Sequence, residues 1–329
     1  MGRPGALESL SPAAPEAALV QLGRLLQAAG YTFTAVSPAS HERVVARRLE
    51  AGAEDALRQI FGWNLPFRQA LLPPAMFDLL RAAGAVCELG GGRWRAAIRW
   101  ATLADRLYLH SGFPAHAADS VFFGPDTYRF VTAIRQYLAT AGTPAGQVVD
   151  VGTGSGAGGL SVPAAQTTLT DINPLALRYA GINAALQGRQ VSLQAGDGLA
   201  PVSAPAALIV ANPPYLMDAG RRLYRDGGAL GIGLSLRIAE QALARLAPQG
   251  TLLLYTATPI ERGHDPLHAA LAALAARRGA RLDYHESDPD IWSEELARPA
   301  YRHADRIALV TVYLRPITQT ADAACRSDP

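Results

Sequence analysis

The run Val148-Val149-Asp150-Val151-Gly152-Thr153-Gly154-Ser155-Gly156 constrains the chain more than any other stretch. Short apolar, β-branched text breaking into alternating glycines predicts a buried strand that enters a tight turn. Glycine there permits backbone conformations closed to other residues and lets a ligand approach the main chain. Asp171 follows Gly156 by fifteen residues and ends a second predicted strand, Thr167-Thr168-Leu169-Thr170. A carboxylate at that place can accept hydrogen bonds from both ribose hydroxyls of a nucleotide-like ligand. Gly154-x-Gly156-x-x-Gly159 also satisfies the dinucleotide fingerprint, so a dehydrogenase is a rival at this point. Asp150 argues against it, because a pyrophosphate wants backbone N–H groups and a helix N-terminus rather than a carboxylate.

From Gln147 the text alternates strand and helix, which calls for a parallel sheet with helices on both faces. Strands are expected near 147–151, 167–171, 191–194, 207–211, 251–257, 281–286 and 306–314. Helices are expected near 174–187, 233–246 and 264–278, with only a turn or two between Gly156 and Pro163. Ahead of this lie expected helices at Ala17–Ala29, Ser40–Glu50 (capped by Ser40), Glu54–Phe61 and Pro74–Ala83. A hairpin of Arg93–Trp100 and Arg106–His110 closes that part, and a helix from Val131 to Ala139 leads into the glycine-rich strand. The implied organisation is a poorly ordered start, 1–16, a small mainly helical domain with a β-hairpin, 17–115, an α/β domain, 116–316, and a tail, 317–329. The small domain carries no catalytic constellation and is suited to recognising a substrate or covering a site.

The strand Ala207-Leu208-Ile209-Val210 runs into Ala211-Asn212-Pro213-Pro214-Tyr215. In open α/β sheets ligands sit beyond the carboxyl ends of the strands, where these motifs fall. Together with the glycine turn and Asp171, this segment resembles class I S-adenosylmethionine (SAM)-dependent methyltransferases. More narrowly it is similar to the Asn-Pro-Pro-Tyr group acting on planar nitrogens, in the branch that includes protein-glutamine N5-methyltransferases of release factors. The resemblance covers about 120–315 and implies a Rossmann-like seven-stranded methyltransferase sheet with SAM as cofactor. It points to Asp150, Gly152, Thr153, Gly154, Gly156, Asp171, Ile172 and Asp197 as cofactor-binding residues. Thr127, in Gly124-Pro125-Asp126-Thr127, corresponds to a segment that folds over the cofactor, although the family's Pro-Arg-x-x-Thr wording is missing.

An amide nitrogen delocalises its lone pair, so its two hydrogens must be held to aim it at a methyl group. The Asn212 side-chain oxygen and the Pro213 carbonyl can accept those hydrogen bonds, on a loop stiffened by Pro213 and Pro214. Tyr215 offers a flat face to a planar group. Pro214 and Arg225 are expected to border the substrate, Arg225 with Arg221 and Arg222 in a charged, glycine-rich loop. The acidic stretch Glu286, Asp288, Asp290, Glu294 and Glu295 reads as a solvated loop, with no metal site.

Two alternatives stay open: methylation of adenine or cytosine amino groups in nucleic acid, and a SAM-binding module without catalysis. Composition favours neither. With 49% apolar and 18% charged residues and a net charge of +2, the chain is globular and lacks a strongly basic balance. All thirty basic residues are Arg. Cys87 and Cys325 lie far apart, and no stretch is long enough to span a bilayer, so a cytoplasmic protein with free thiols is expected, acting on a protein or small-molecule acceptor away from membranes.

Overall fold

The computed structural model describes residues 14–48, 50–114, 117–218 and 223–317. Most of the expected N-terminal extension, Arg221 and Arg222, Cys325 and nearly all of the tail lie outside these residues. The chain forms two compact units: residues 1–115 with 185–188, and residues 116–184 with 189–329.

The first unit holds α1 (Pro15–Ala28), α2 (Pro38–Val45), β1 (Phe67–Arg68), α3 (Pro74–Ala82), β2 (Val86–Gly90), β3 (Arg93–Ala96), β4 (Ile98–Leu103) and β5 (Arg106–Ser111). The helix expected over Ser40–Glu50 instead starts at Pro38, and Ser37 caps it by accepting from the Ser40 N–H at 3.2 Å. Proline favours that shift, since its fixed φ suits the first helical position. Arg58–Gly62 is a π-helical turn where an α-helix was expected. The expected strand Arg93–Trp100 is broken at Ala97: β3 joins β1 and β2 in a three-stranded sheet, whereas β4 pairs with β5. Strand β2 carries no alternation to betray it, because almost all of it is exposed. Beneath these sheets the buried Arg99 donates from Nε to the Gly62 carbonyl at 2.8 Å and lies 3.3 Å from His41 Nδ1. Burial, reinforced by the Arg99 charge, pushes the His41 ring down to about 4.

The second unit opens with α4 (Pro125–Ala141) and continues β6 (Val148–Val151), α5 (Ala157–Ser161), β7 (Thr167–Asp171), α6 (Pro174–Leu186), β8 (Ser192–Ala195) and β9 (Ala206–Ala211). It closes with α7 (Gly233–Leu243), β10 (Leu246–Ile260), α8 (Pro266–Arg278), β11 (Ala280–Asp288) and β12 (Arg306–Pro316). The seven strands form one Rossmann-like sheet in the order β11-β12-β10-β9-β6-β7-β8, with β12 antiparallel to both neighbours and the β10-to-β8 run parallel. Alternate strand residues feed two cores. Val149, Val151, Ile209, Leu252 and Leu254 pack with α7 and α8, while Val148, Leu208, Val210, Leu253 and Tyr255 pack with Phe130 and Ile134 of α4.

The chain leaves β6 for β7 and β8 and then returns to β9 on the other side of β6. Between β6 and β9 the strand order reverses, the place where open α/β sheets form a ligand crevice. Val151 stands level with Ala211 on one side and Thr170 on the other. Gly152, Asn212 and Asp171 therefore follow at one rim, on strands roughly 5 Å apart.

Candidate cofactor and acceptor site

The glycine turn presents an open face at this rim. Gly152 and Gly154 have φ of +65° and +53°, and a Cβ on Gly152 would meet nothing within 4 Å. On Gly154 a Cβ would approach only Val121 Cγ1, at 3.9 Å. Gly159, by contrast, is packed: a Cβ there would stand 2.4 Å from Leu169 Cδ2. Two residues of the turn thus leave main chain open to a ligand, and the later glycine seats α5 on the sheet.

Asp150 lies buried under the turn and does not face the open rim. It is 1% exposed, and its Oδ2 accepts from Thr153 Oγ1 at 2.7 Å and from the Gly159 N–H at 2.8 Å. Burial pushes its carboxyl up to about 6 against these stabilising hydrogen bonds. The Thr153 side chain is consumed by that contact, so both residues shape the turn from below. Asp171 ends β7 with Oδ2 accepting from the Gly154 N–H at 3.0 Å and Oδ1 from the Asn173 N–H at 2.9 Å. Burial raises its carboxyl above the ordinary range. Ile172 beside it is 60% exposed and presents an apolar surface at the rim. Asp197, in the turn after β8, is exposed and pairs with Arg237 at 3.2 Å. Open glycine backbone, an exposed apolar side chain and two carboxylates thus follow the ends of β6, β7 and β8. That set fits SAM, with its ribose, adenine and positive charges, better than a pyrophosphate.

Residues 117–124 run across this rim. Asn173 Nδ2 donates to the Asp119 carbonyl at 2.6 Å, Val121 lies against Gly154, and the Leu223 N–H donates to the Ala118 carbonyl at 3.3 Å. Phe122 stacks on Tyr224 with centroids 6.1 Å apart. Thr127 is tied into the end of this segment. Its hydroxyl accepts from the Gly124 N–H at 3.3 Å and so caps α4, which begins at Pro125 rather than Val131.

Across the crevice, the Asn212 carboxamide is partly exposed and makes no hydrogen bond among the described residues. The Pro213 carbonyl likewise accepts no backbone hydrogen bond among them. Tyr215 departs from expectation. It is only 7% exposed and packs in the α4-side core, so it shows no free flat face. Its hydroxyl donates to Asp126 Oδ2 at 2.6 Å and accepts from Trp292 Nε1 at 3.0 Å. Burial first, then the Asp126 charge, push the phenol well above its usual range.

Arg225 also departs from expectation. Its guanidinium is 15% exposed and is held by Asp218 at 3.6 Å and by Glu295, so it is not free for an anionic group. Glu295 is 3% exposed and also pairs with Arg298 at 2.8 Å. The stretch expected as a solvated loop is therefore joined to the site by buried charge, and Met217 N–H donates to Tyr301 Oη at 2.9 Å. Asp126 and Trp292 escaped the sequence reading because their partner, Tyr215, is 89 and 77 residues away.

Sheet order, open glycine turn, carboxylate at the end of the next strand and Asn-Pro-Pro-Tyr after β9 are the arrangement expected from the resemblance to Rossmann-like methyltransferases. Residues 132–274 match the family model described as the methyltransferase small domain. The chain is 41% identical over 123 residues to release factor glutamine methyltransferase of Deinococcus radiodurans, covering 33% of this chain and 44% of that protein. With the protein of the same name from Bordetella pertussis it shares 36% over 167 residues, 46% of this chain and 59% of the other. The chain thus spans about half the length of these curated relatives. Among solved structures, wild-type Trm5b from Pyrococcus abyssi superposes with a TM-score of 0.48 at 14% identity, over 73% of this chain and 68% of that one.

Proposed function

We propose that this chain transfers a methyl group from SAM to the side-chain amide nitrogen of a glutamine in a protein. The observation that carries the reading is Asn212: an unsatisfied carboxamide at the rim, one strand from the open face of the glycine turn. The residues suited to hold SAM are Gly152 and Gly154 by their backbone, Asp171 by its carboxylate, Ile172 by its apolar face and Asp197 at the far edge. Bound there, SAM supplies a methyl group made electrophilic by a sulfonium.

The remaining work belongs to the chain's own residues. The Asn212 side-chain oxygen and the Pro213 carbonyl each accept one hydrogen of a primary amide, which fixes the nitrogen and directs its lone pair. Prolines at 213 and 214 keep those acceptors in place before the substrate arrives, so less order is lost on binding. The proton leaves a nitrogen made acidic by methylation, so no strong base is required at the rim. The name of these relatives, release factor glutamine methyltransferase, supports a release factor as the acceptor protein.

The test incubates the protein with methyl-labelled SAM and either a release factor or a glutamine-bearing peptide from it, then locates the label by tandem mass spectrometry. Methylglutamine is the expected product. Label found only in RNA or DNA would replace the acceptor assignment.

A further inference from the structure

Tyr215, at the end of Asn-Pro-Pro-Tyr, is buried with its hydroxyl engaged on both sides. It donates to Asp126 on the first turn of α4 and accepts from the Trp292 indole, joining three separate parts of the second unit. Asp126 is itself buried, at 6% exposed, and also takes hydrogen bonds from Tyr255 Oη and Arg129 Nη1, each at 3.4 Å. Arg129 in turn stands 3.8 Å from Asp288. A helix N-terminus favours a carboxylate on its first turn, which offsets part of the cost of burying this one. Trp292 holds φ at +56°, a left-handed conformation unusual for a large side chain. Such backbone strain persists where surrounding contacts over-determine it, and it gathers at functional sites.

We propose that Asp126 is a positioning residue for methyl transfer, holding Tyr215 and through it Trp292, and so setting where the Asn212 and Pro213 acceptors stand. The inference rests on the roles given above to Asn212 and Pro213. Pro213 and Pro214 remove most of the freedom between Asn212 and Tyr215, so a displacement of the Tyr215 ring is transmitted to the Pro213 carbonyl instead of being absorbed. Misplacing a reacting group by about 1 Å lowers rates on the order of a hundredfold. The residues suited to hold SAM follow β6, β7 and β8, and among the described residues none of them is hydrogen-bonded to Asp126, Tyr215 or Trp292.

The test uses the full chain carrying Asp126→Ala, Asp126→Asn, Tyr215→Phe or Trp292→Phe. Asp126→Ala and Tyr215→Phe are each expected to lower kcat about ten- to a hundredfold, with SAM affinity by calorimetry within about threefold of the parent. Asp126→Asn keeps an oxygen that can accept from Tyr215 and should restore most of the turnover lost in Asp126→Ala. Because Asp126→Ala and Tyr215→Phe act on one chain of contacts, the double variant should lose little more than either alone. A readout independent of the acceptor is the Trp292 indole N–H resonance, assigned by its disappearance in Trp292→Phe, which should shift in Asp126→Ala and Tyr215→Phe. If Asp126→Ala fails to fold, Tyr215→Phe and Asp126→Asn carry the comparison.

Unchanged kcat in Asp126→Ala or Tyr215→Phe overturns the proposal, as does equal loss of turnover and SAM affinity. An indole resonance indifferent to both substitutions overturns it as well. Should the parent protein methylate something other than glutamine, the acceptor assignment falls, and the same kcat comparison is made on the acceptor that takes the label.

Discussion

Asp171 holds the ends of two structures at once, the Gly154 amide of the turn and the Asn173 amide that starts toward α6. Its substitution by alanine removes a charged acceptor from the cofactor side of the rim. Asp171→Ala should weaken SAM binding by about 1–3 kcal/mol, measured by calorimetry, and unchanged affinity would remove Asp171 from the site. Asp150 makes a different prediction, because its burial raises the carboxyl from 3.8 to about 6. Folding then takes up a proton within that window, so its contribution to stability is present below about 4 and is lost as pH rises through 6. Asp150→Asn keeps an oxygen for Thr153 and Gly159 but no charge. Without cofactor, its stability relative to the parent should improve by about 2–3 kcal/mol between pH 4 and pH 7.5 in chemical denaturation. A difference that stays constant with pH would contradict this.

The loop 227–231 is the element that backs Asn-Pro-Pro-Tyr. A Cβ on Gly231 would lie 2.4 Å from the Tyr215 carbonyl oxygen, and Gly231 has φ of +72°. Gly231→Ala is therefore expected to destabilise by about 1–3 kcal/mol and to lower turnover far more than SAM affinity. Gly263 has the same kind of backbone, φ +73°, but open space around it. Gly263→Ala should carry only the backbone penalty, about 1 kcal/mol, and leave kcat unchanged; equal kinetic effects from both would sink the packing argument. The elements carrying the cofactor side were legible because their signals are local. β7 matches its expected span, and β6, β9 and α6 lie within a residue of theirs, since strand text, a short turn and a proline at the helix start sit next to one another. The 293–301 turns were not legible, because Glu295 looks like any surface acid until Arg225, 70 residues earlier, is brought against it. Burial reversed the reading of Tyr215 for the same reason: a tyrosine after two prolines carries no sign of which face the core will take.

At the scale of the whole molecule, the sheet explains why residues from 150 to 295 meet at one rim. Parallel strands β6, β7, β8 and β9 all end on the same side, and the chain reversal between β6 and β9 leaves two neighbouring strand ends free to carry different partners. The net charge of +2 gives the whole chain no strong field of either sign. Among the described residues no helix is long and apolar enough to cross a membrane. The central claim is that one strand end binds the methyl donor while its neighbour pins the nitrogen. The most direct measurement is paired kinetics and calorimetry on Asn212→Ala with a glutamine-bearing acceptor. The account predicts a fall in kcat of about a hundredfold or more with SAM affinity changed less than about twofold; normal turnover, or equal losses in both quantities, would contradict it.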